Sequence, residues 1–258
     1  MSATAETWSQ EAVDFLQAVA DTKLLLGFRY AERMSSGQSI EDDVANMNVA
    51  QEEFGHVRQL FSILEEQGRS HEWLNADRDA GTYANASVLD DPAGDWTTFV
   101  VETGMVDRAA WLLLDAVSAS ELDGIREKIA QEESFHLERA DAWFEHLAET
   151  DPEAVEAVLE EAVPQVLSFI GPASYDDETD PLAKEGFTDA TVADLREQFI
   201  AHYRALCEET EVDFDVADTD APDLDAWDAV RRRQQGGAIS AETVAVVQGT
   251  ENREFAME

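Results

Sequence analysis

Apolar residues recur along most of the chain at spacings of three and four, which is the period of an α-helix with one buried face. Alternation with a period of two, the pattern of a half-buried β-strand, is almost absent. The pattern therefore predicts an all-α protein with long helices in its first part and shorter ones after them. The predicted helices span residues 8–34, 39–67, 95–119, 121–149, 151–168 and 190–209, with short ones near 224–234 and 240–248.

The connections between the four long helices predict how they are arranged. Ser35-Ser36-Gly37 separates the first two into a hairpin, and Ser39 is a suitable N-cap for the second. Residues 68–95, rich in Gly, Asn and Asp, form a long connection to the second hairpin. Two helical hairpins joined by one long crossover form the ferritin-like version of a four-helix bundle. We expect such a bundle domain over residues 1–210 and a C-terminal extension over 211–258 that packs on the bundle or on a partner.

The charge of the chain is strongly one-sided. Of its 258 residues, 57 are Asp or Glu and 17 are Lys or Arg, which gives a formal net charge of −40. Hydrophobic residues make up 44%, which is too many for a disordered polyanion and indicates a folded body with an acidic surface. Because such a surface repels phosphate backbones and anionic lipid headgroups, we expect neither a nucleic-acid partner nor a membrane partner.

Lysine is scarce and occurs only at positions 23, 128 and 184. An excess of Asp and Glu spread along the chain with little Lys is typical of cytoplasmic proteins from salt-accumulating halophiles, where molar salt screens the repulsion. An acidic binding protein from an ordinary cell is the alternative, although such proteins usually concentrate their charge in tails. The single cysteine, Cys207, and the lack of a signal-peptide pattern also predict a cytoplasmic protein.

A short motif, Gln-Glu-Glu-x-x-His, occurs in both the second and the fourth long helix. One copy ends in Glu53 and His56, the other in Glu133 and His136, so in each a Glu precedes a His by three residues. On a helix this spacing places the two side chains on one face, one turn apart. Stepping by three and four from either Glu meets mostly apolar residues, so both pairs are expected to point into the core.

Burying these carboxylates beside imidazoles without a partner would cost several kcal/mol, so something cationic must lie between them. The preceding residues, Glu52 and Glu132, fall on neighbouring flanks and are expected to lean toward solvent. A single Glu-x-x-His is more often a solvated helix face, but two copies on apolar stripes favour a metal site. With a carboxylate from each of the other two helices, the pair forms the ligand scheme of di-iron carboxylate bundles.

The other two helices differ in what they offer to such a site. On the third helix, Asp107 is the only acid on the apolar stripe and lies among small residues. On the first helix, Lys23 stands where a carboxylate is wanted and is followed by three leucines. We therefore expect Lys23 to be buried, either paired with Glu53 or Asp107, or partly deprotonated beside a metal. If Lys23 lies on the surface instead, Asp21 becomes the candidate ligand.

These motifs resemble the phenylacetic acid catabolic family, which supplies the catalytic and structural large subunits of ring-1,2-phenylacetyl-CoA epoxidase. The resemblance covers about residues 10–210. Its catalytic-chain features are the Glu53 to His56 and Gln131 to His136 motifs, the stretch Val106 to Ala110 and the loop Phe169 to Pro172. The chain length, the stretch Ala20 to Leu24, and residues His136-Leu137 through Trp143-Phe144 look more like the structural chain.

The resemblance implies an iron site and a multisubunit assembly. Five of an expected six metal ligands match, and Glu53 and Glu133 among them would be the bridging, catalytic carboxylates. The five are Glu53, His56, Asp107, Glu133 and His136. The sixth, the carboxylate of the first helix, is missing at or beside Lys23. The implied partners are a related large subunit, in a hetero- or homo-oligomer, a small subunit, a reductase and an acyl-CoA substrate, whose aromatic ring is epoxidised with oxygen.

Three functions remain open from the sequence. The first is a catalytic subunit of the oxygenase, and the second is a non-catalytic structural subunit in which Lys23 replaces the charge of a metal. The third is a ferritin-like iron-binding protein, which the extra helices after residue 150 disfavour. The cationic cluster Arg231 to Arg233 either meets the phosphates of coenzyme A or forms an intersubunit salt-bridge patch.

Overall fold

Four long helices carry the core of the protein in a computed structural model that describes residues 7–75, 78–215 and 226–249. They are α1 (Gln10–Glu32), α2 (Ile40–Glu66), α4 (Trp96–Asp115) and α5 (Asp123–Thr150). The shorter elements are α3 (His71–Asn75), α6 (Pro152–Ile170), α7 (Pro181–Glu185), α8 (Val192–Glu209), β1 (Trp227–Asp228), β2 (Arg233–Gln234) and α9 (Ala241–Val247). The predicted all-α class and the six main helices are confirmed.

Short polar side chains cap the N-termini of α1, α2 and α4, whereas α5 begins without a side-chain cap. The side chain of Ser39 accepts a hydrogen bond from the backbone N–H of Asp42, which confirms Ser39 as the N-cap of α2. Ser9 and Asp95 do the same for α1 and α4. Each such bond satisfies one of the backbone N–H groups that a helix leaves free at its first turn.

The helices pair as the sequence predicts, with α1 along α2 and α4 along α5. Between the two hairpins the crossover contains α3 and two 3₁₀ turns, Ala80–Thr82 and Ser87–Leu89. A buried ion pair between Arg78 of the crossover and Asp21 of α1 fixes it to the bundle, with Nη2 to Oδ1 at 2.6 Å. This is the ferritin-like arrangement. None of the helices in the described ranges is both long and apolar enough to cross a membrane.

The helix predicted near 224–234 is wrong where the structure describes it; residues 224 and 225 lie outside the described ranges. The chain instead forms an antiparallel hairpin in which Trp227 pairs with Gln234 and Asp228 with Arg233. The Asp228 carboxylate accepts the backbone N–H groups of Val230 and Arg231, which is an Asx turn that competes with a helix. Arg232 has a left-handed backbone with φ of 50°, which also ends any helix there.

All three side chains of the Arg231 to Arg233 cluster bond within the chain, and Arg232 and Arg233 are buried. A contact of Arg231 with a ligand or with another subunit stays a prediction. Arg232 is buried and donates to the carbonyls of Phe169 and Ile170 at the C-terminus of α6, where the last carbonyls of the helix need partners. Arg233 pairs with Asp90 of the crossover. Arg231 donates from Nε to the carbonyl of Tyr83 at 3.1 Å.

The predicted short helix near 240–248 is confirmed as α9, and it also contacts the bundle. Arg29 of α1 is buried and donates to the hydroxyl of Thr243 at 2.6 Å and to the carbonyl of Leu89 at 2.9 Å. Residues 226–249 are therefore held to α1, α6 and the crossover. The division of the chain at residue 210 into two domains stays a prediction.

Glu102 on α4 gives a pH-dependent prediction for the bundle. Burial, and then the nearby charge of Glu161, raise its pKa from 4.5 to about 7, although Arg29 opposes the shift. Because the folded state holds this proton more tightly than the unfolded chain, stability falls as the pH rises from about 4.5 to 7. Glu102→Gln should therefore raise the melting temperature, with a gain that grows between about pH 4.5 and 7 and then levels off.

Thermal melts of Glu102→Gln at a series of pH values in fixed salt measure this gain. Glu138→Gln is the matched control. Glu138 is exposed on α5, and its replacement by Gln also removes one negative charge. Equal gains for the two variants at every pH would mean that only net charge matters, and would contradict a specific effect of the Glu102 site.

Candidate metal centre

The four long helices each contribute one ionisable side chain to the middle of the bundle. Lys23 comes from α1, Glu53 from α2, Asp107 from α4 and Glu133 from α5. Their side chains are between 0% and 1% exposed, so they share a site that excludes bulk water. Two imidazoles complete the cluster, those of His56 and His136, one helical turn after the glutamates. The two buried Glu-x-x-His faces are thus placed as the sequence predicts.

Small residues allow α4 and α5 to approach closely beside the cluster. Gly104 lies one turn before Asp107, and a Cβ atom at this position would stand 3.0 Å from the Cβ of Ala140. That distance is tighter than ordinary van der Waals contact, so a larger residue would push α5 away from α4. Close packing here keeps the carboxylate of Asp107 within reach of Glu133.

Lys23 is buried, as predicted, and its ammonium lies among the three carboxylates. Its Nζ donates to Glu53 Oε1 at 3.1 Å, to Asp107 Oδ1 at 2.5 Å and to Glu133 Oε1 at 2.5 Å. Three donors on the ammonium match three acceptors, one from each of the other long helices. The expected pairing with Glu53 or Asp107 is therefore confirmed and extends to Glu133. Burial lowers the pKa of Lys23, but the three carboxylates outweigh it and raise that pKa well above its usual value.

One oxygen of each carboxylate is left over. Glu53 Oε2, Asp107 Oδ2 and Glu133 Oε2 are buried and have no hydrogen-bond partner among the described residues. The Nδ1 atoms of His56 and His136 are in the same state. Buried polar atoms without a partner are costly in a protein interior. Carboxylate oxygens and imidazole nitrogens are atoms that a metal ion binds, so these five atoms are candidate ligand atoms.

The outer nitrogens of the two imidazoles are held by glutamates from the opposite motif. His56 Nε2 lies 2.8 Å from Glu132 Oε2, and His136 Nε2 lies 2.7 Å from Glu52 Oε2. Since a carboxylate accepts, each Nε2 carries the proton of the bond. An imidazole held in this way presents its Nδ1 to the cluster, which is how carboxylates orient metal-binding histidines.

This crossed pairing corrects the expectation that Glu52 and Glu132 lean toward solvent. Their side chains are 39% and 26% exposed, and each one contacts the histidine of the other helix. The available signal was the first Glu in each Gln-Glu-Glu-x-x-His motif. Recognising its role requires the register of α2 against α5, which a single helical pattern does not contain.

The surroundings shift the pKa values of the two imidazoles in opposite directions. Burial, and then the positive charges of Lys23 and His136, lower the pKa of His56 to about 2. Burial also lowers the pKa of His136, but the facing carboxylates of Asp107 and Glu53 outweigh burial and raise it to about 12. His136 Nδ1 lies 3.4 Å from Glu53 Oε1 and 3.5 Å from Asp107 Oδ2. Without a metal, His136 is therefore the cationic imidazole and His56 the neutral one.

The carboxylates also differ from one another. Burial, and then the charge of Asp107, raise the pKa of Glu133 well above its usual value, although Lys23 opposes the shift. Burial would raise the pKa of Asp107 as well, but Lys23 and His136 hold it below its usual value. Without a metal, the site thus keeps protons that offset its negative charge.

Four of the five predicted ligands come together as one group. One ligand atom each from Glu53, Asp107, Glu133 and His136 lie within 4.8 Å of one another, so these residues could hold a metal ion. His56 lies beside the group, with Nδ1 3.4 Å from Glu133 Oε1. Asp21, the alternative ligand, is not part of it, because both of its oxygens are bonded by Arg78 and one also by the backbone N–H of Ala84.

Comparison with protein families identifies a family for this chain. A sequence model of the family described as "Phenylacetic acid catabolic protein" matches residues 1–223, which include every residue of the cluster. No curated protein matches the chain.

Proposed function

The chain belongs to the phenylacetic acid catabolic protein family, and from this premise we propose that it is a large subunit of an oxygenase that epoxidises the aromatic ring of phenylacetyl-CoA. The family acts in phenylacetate catabolism. The observation that supports the role as an oxygenase subunit is the buried donor set of three carboxylates and two imidazoles on α2, α4 and α5.

The residues of the cluster have the types that a non-haem iron site requires. Glu53, Asp107, Glu133 and His136 would hold the metal, with His56 beside them, and iron would supply the one-electron chemistry that oxygen needs. Glu52 and Glu132 would keep the imidazoles oriented. The apolar faces of α1, α2, α4 and α5 would exclude bulk water from the reaction. Lys23 would balance part of the carboxylate charge.

The proposal includes partners and a location. We expect a related large subunit, a small subunit and a reductase in the assembly, an acyl-CoA as the substrate and the cytoplasm as the compartment. The net charge of −40 sets a condition on this assembly, since acidic subunits associate most readily where salt screens their repulsion.

A second candidate function has an observation of its own. Lys23 occupies the place of the first-helix carboxylate and already bonds three of the predicted ligands. A large subunit with such a cation could support its partner without turning over substrate. In that case the cluster would be a structural ion-pair core.

Substitution in the assembled complex distinguishes the two functions. The chain, its related large subunit, the small subunit and the reductase would be co-expressed and purified in molar KCl, and phenylacetyl-CoA-dependent oxygen uptake would be measured. For a catalytic subunit, Glu133→Gln should lower uptake by about 100-fold or more while the complex stays intact, because a metal ligand is lost. Glu138→Gln, exposed on the same helix, is the control and should change nothing.

Full uptake in an intact Glu133→Gln complex would contradict the catalytic proposal and favour the structural one. Failure of the chain to associate with a related large subunit in molar salt, measured by light scattering after size exclusion, would count against both.

A further inference from the structure

We infer that the cluster binds one divalent cation rather than two, and that the ammonium of Lys23 takes the place of the second. The inference rests on the proposed function only in treating the cluster as the metal site. It depends on three observations: the carboxylate oxygens that already bond to Lys23, the balance of charge among the buried side chains, and the different positions of the two imidazoles.

Each carboxylate divides its two oxygens between two tasks. Glu53 Oε1, Asp107 Oδ1 and Glu133 Oε1 accept from Lys23 Nζ at 3.1, 2.5 and 2.5 Å. The second oxygen of each is buried and unpartnered among the described residues. A carboxylate that joins two metals uses one oxygen for each. Here one oxygen of every carboxylate meets an ammonium, so a single position is left for a metal.

The charges of the fully buried side chains balance with one ion, since Glu52 and Glu132 beside the imidazoles are 39% and 26% exposed and are screened by solvent. Glu53, Asp107 and Glu133 carry three negative charges when ionised, and one divalent ion with one ammonium carries three positive charges. A second divalent ion would leave two excess positive charges among side chains that are at most 1% exposed. Such an excess is strongly unfavourable in a site that excludes water.

The two imidazoles are not equivalent toward that ion. The group whose ligand atoms lie within 4.8 Å of one another contains His136 together with the three carboxylates and does not contain His56. His56 Nδ1 has Glu133 Oε1 at 3.4 Å and Glu53 Oε1 at 3.8 Å as its nearest carboxylate oxygens. The single ion is therefore assigned to His136, and His56 is the donor that a second metal would have used.

Metal stoichiometry tests the inference without oxygen, substrate or partner subunits, so its result does not depend on whether the chain catalyses epoxidation. The apo protein in molar KCl would be dialysed against Co²⁺, and bound cobalt per chain would be measured by elemental analysis. Wild type should bind one Co²⁺ and give the electron paramagnetic resonance spectrum of an isolated high-spin ion. Two bound ions, or none, would overturn the inference.

A substitution tests whether Lys23 limits the number of bound metal ions to one. Lys23→Glu should bind two Co²⁺ with a spectrum altered by coupling between them, because a fourth carboxylate replaces the ammonium. Lys184→Glu, on an exposed lysine of α7, is the control and should still bind one. A folded Lys23→Glu protein that binds one ion would contradict the role of Lys23. If Lys23→Glu does not fold, the wild-type stoichiometry and spectrum decide.

The histidines give an independent comparison. His136→Ala should weaken Co²⁺ binding by about 100-fold or more, and His56→Ala by less than tenfold. Circular dichroism would check that both variants keep their helices. An equal loss for the two variants would show that both imidazoles hold the ion and would overturn the assignment to His136.

Discussion

Replacing Lys23 by methionine should lower the free energy of unfolding of the metal-free protein by about 3–5 kcal/mol. The ammonium is fully buried and donates to Glu53, Asp107 and Glu133. Removing one partner of a buried ion cluster costs more than the cluster itself contributes, because the remaining charges stay buried without compensation. Methionine fills much of the volume of lysine, so the loss would reflect charge rather than a cavity.

Denaturant unfolding at fixed molar KCl measures the effect, with Lys184→Met as a control on an exposed lysine. Adding Glu53→Gln, Asp107→Asn and Glu133→Gln to Lys23→Met should recover most of the loss, since the neutral amides need no counter-ion. A loss below about 1 kcal/mol for Lys23→Met alone would mean that Lys23 does not hold the carboxylates together.

The parts of the site that sequence reasoning could reach are those set by one helix at a time. The spacing of Glu53 to His56 and of Glu133 to His136 fixes a shared helical face, and the apolar residues around them place that face in the core. The same logic gave the inward position of Asp107 and the burial of Lys23. In each case a local period of 3.6 residues was sufficient.

Side-chain contacts between different helices, or between a helix and the crossover, could not be predicted from the period of a single helix. The pairing of Glu52 with His136 and of Glu132 with His56 depends on how α2 and α5 are aligned. The partner of Asp21 is Arg78, which lies in the crossover and not on a helical face. Nothing in the local sequence of either residue indicates the other.

The hairpin of residues 226–235 shows how tertiary contacts override a local pattern. The Asx turn at Asp228 favours a bend, but the left-handed Arg232 is stabilised by carbonyls of Phe169 and Ile170 some sixty residues earlier. The tail therefore supplies hydrogen-bond donors to the last carbonyls of α6, and in doing so it adopts a hairpin instead of a helix. The helical pattern of the tail alone contains no information about these hydrogen bonds to α6.

The second large effect concerns salt, and the structure strengthens the argument from composition. Among the described residues, six of the 17 cationic side chains are buried, namely Lys23, Arg29, Arg78, Arg196, Arg232 and Arg233. Only six of the 57 acids are buried with them, namely Asp21, Asp42, Glu53, Asp107, Glu133 and Asp180. Because equal numbers of cations and acids are buried in the described ranges, the net charge of −40 is carried by the rest of the chain, where the ratio of acids to cations is higher than in the whole sequence.

Lowering KCl from about 2 M to 0.1 M should lower the melting temperature by more than about 10 °C. The screening length grows from about 3 Å at 1 M to about 10 Å at 0.1 M, so neighbouring surface carboxylates begin to repel one another. At ~2–4 °C per kcal/mol for a chain of this size, the shift corresponds to roughly 3–5 kcal/mol. Melts in sucrose at low salt control for osmotic effects and should not restore the midpoint. MgCl₂ should restore it at a much lower concentration than KCl, since a divalent cation screens more strongly. An unchanged midpoint across this range would contradict the halophile hypothesis, because it would show that the surface acids do not destabilise the fold.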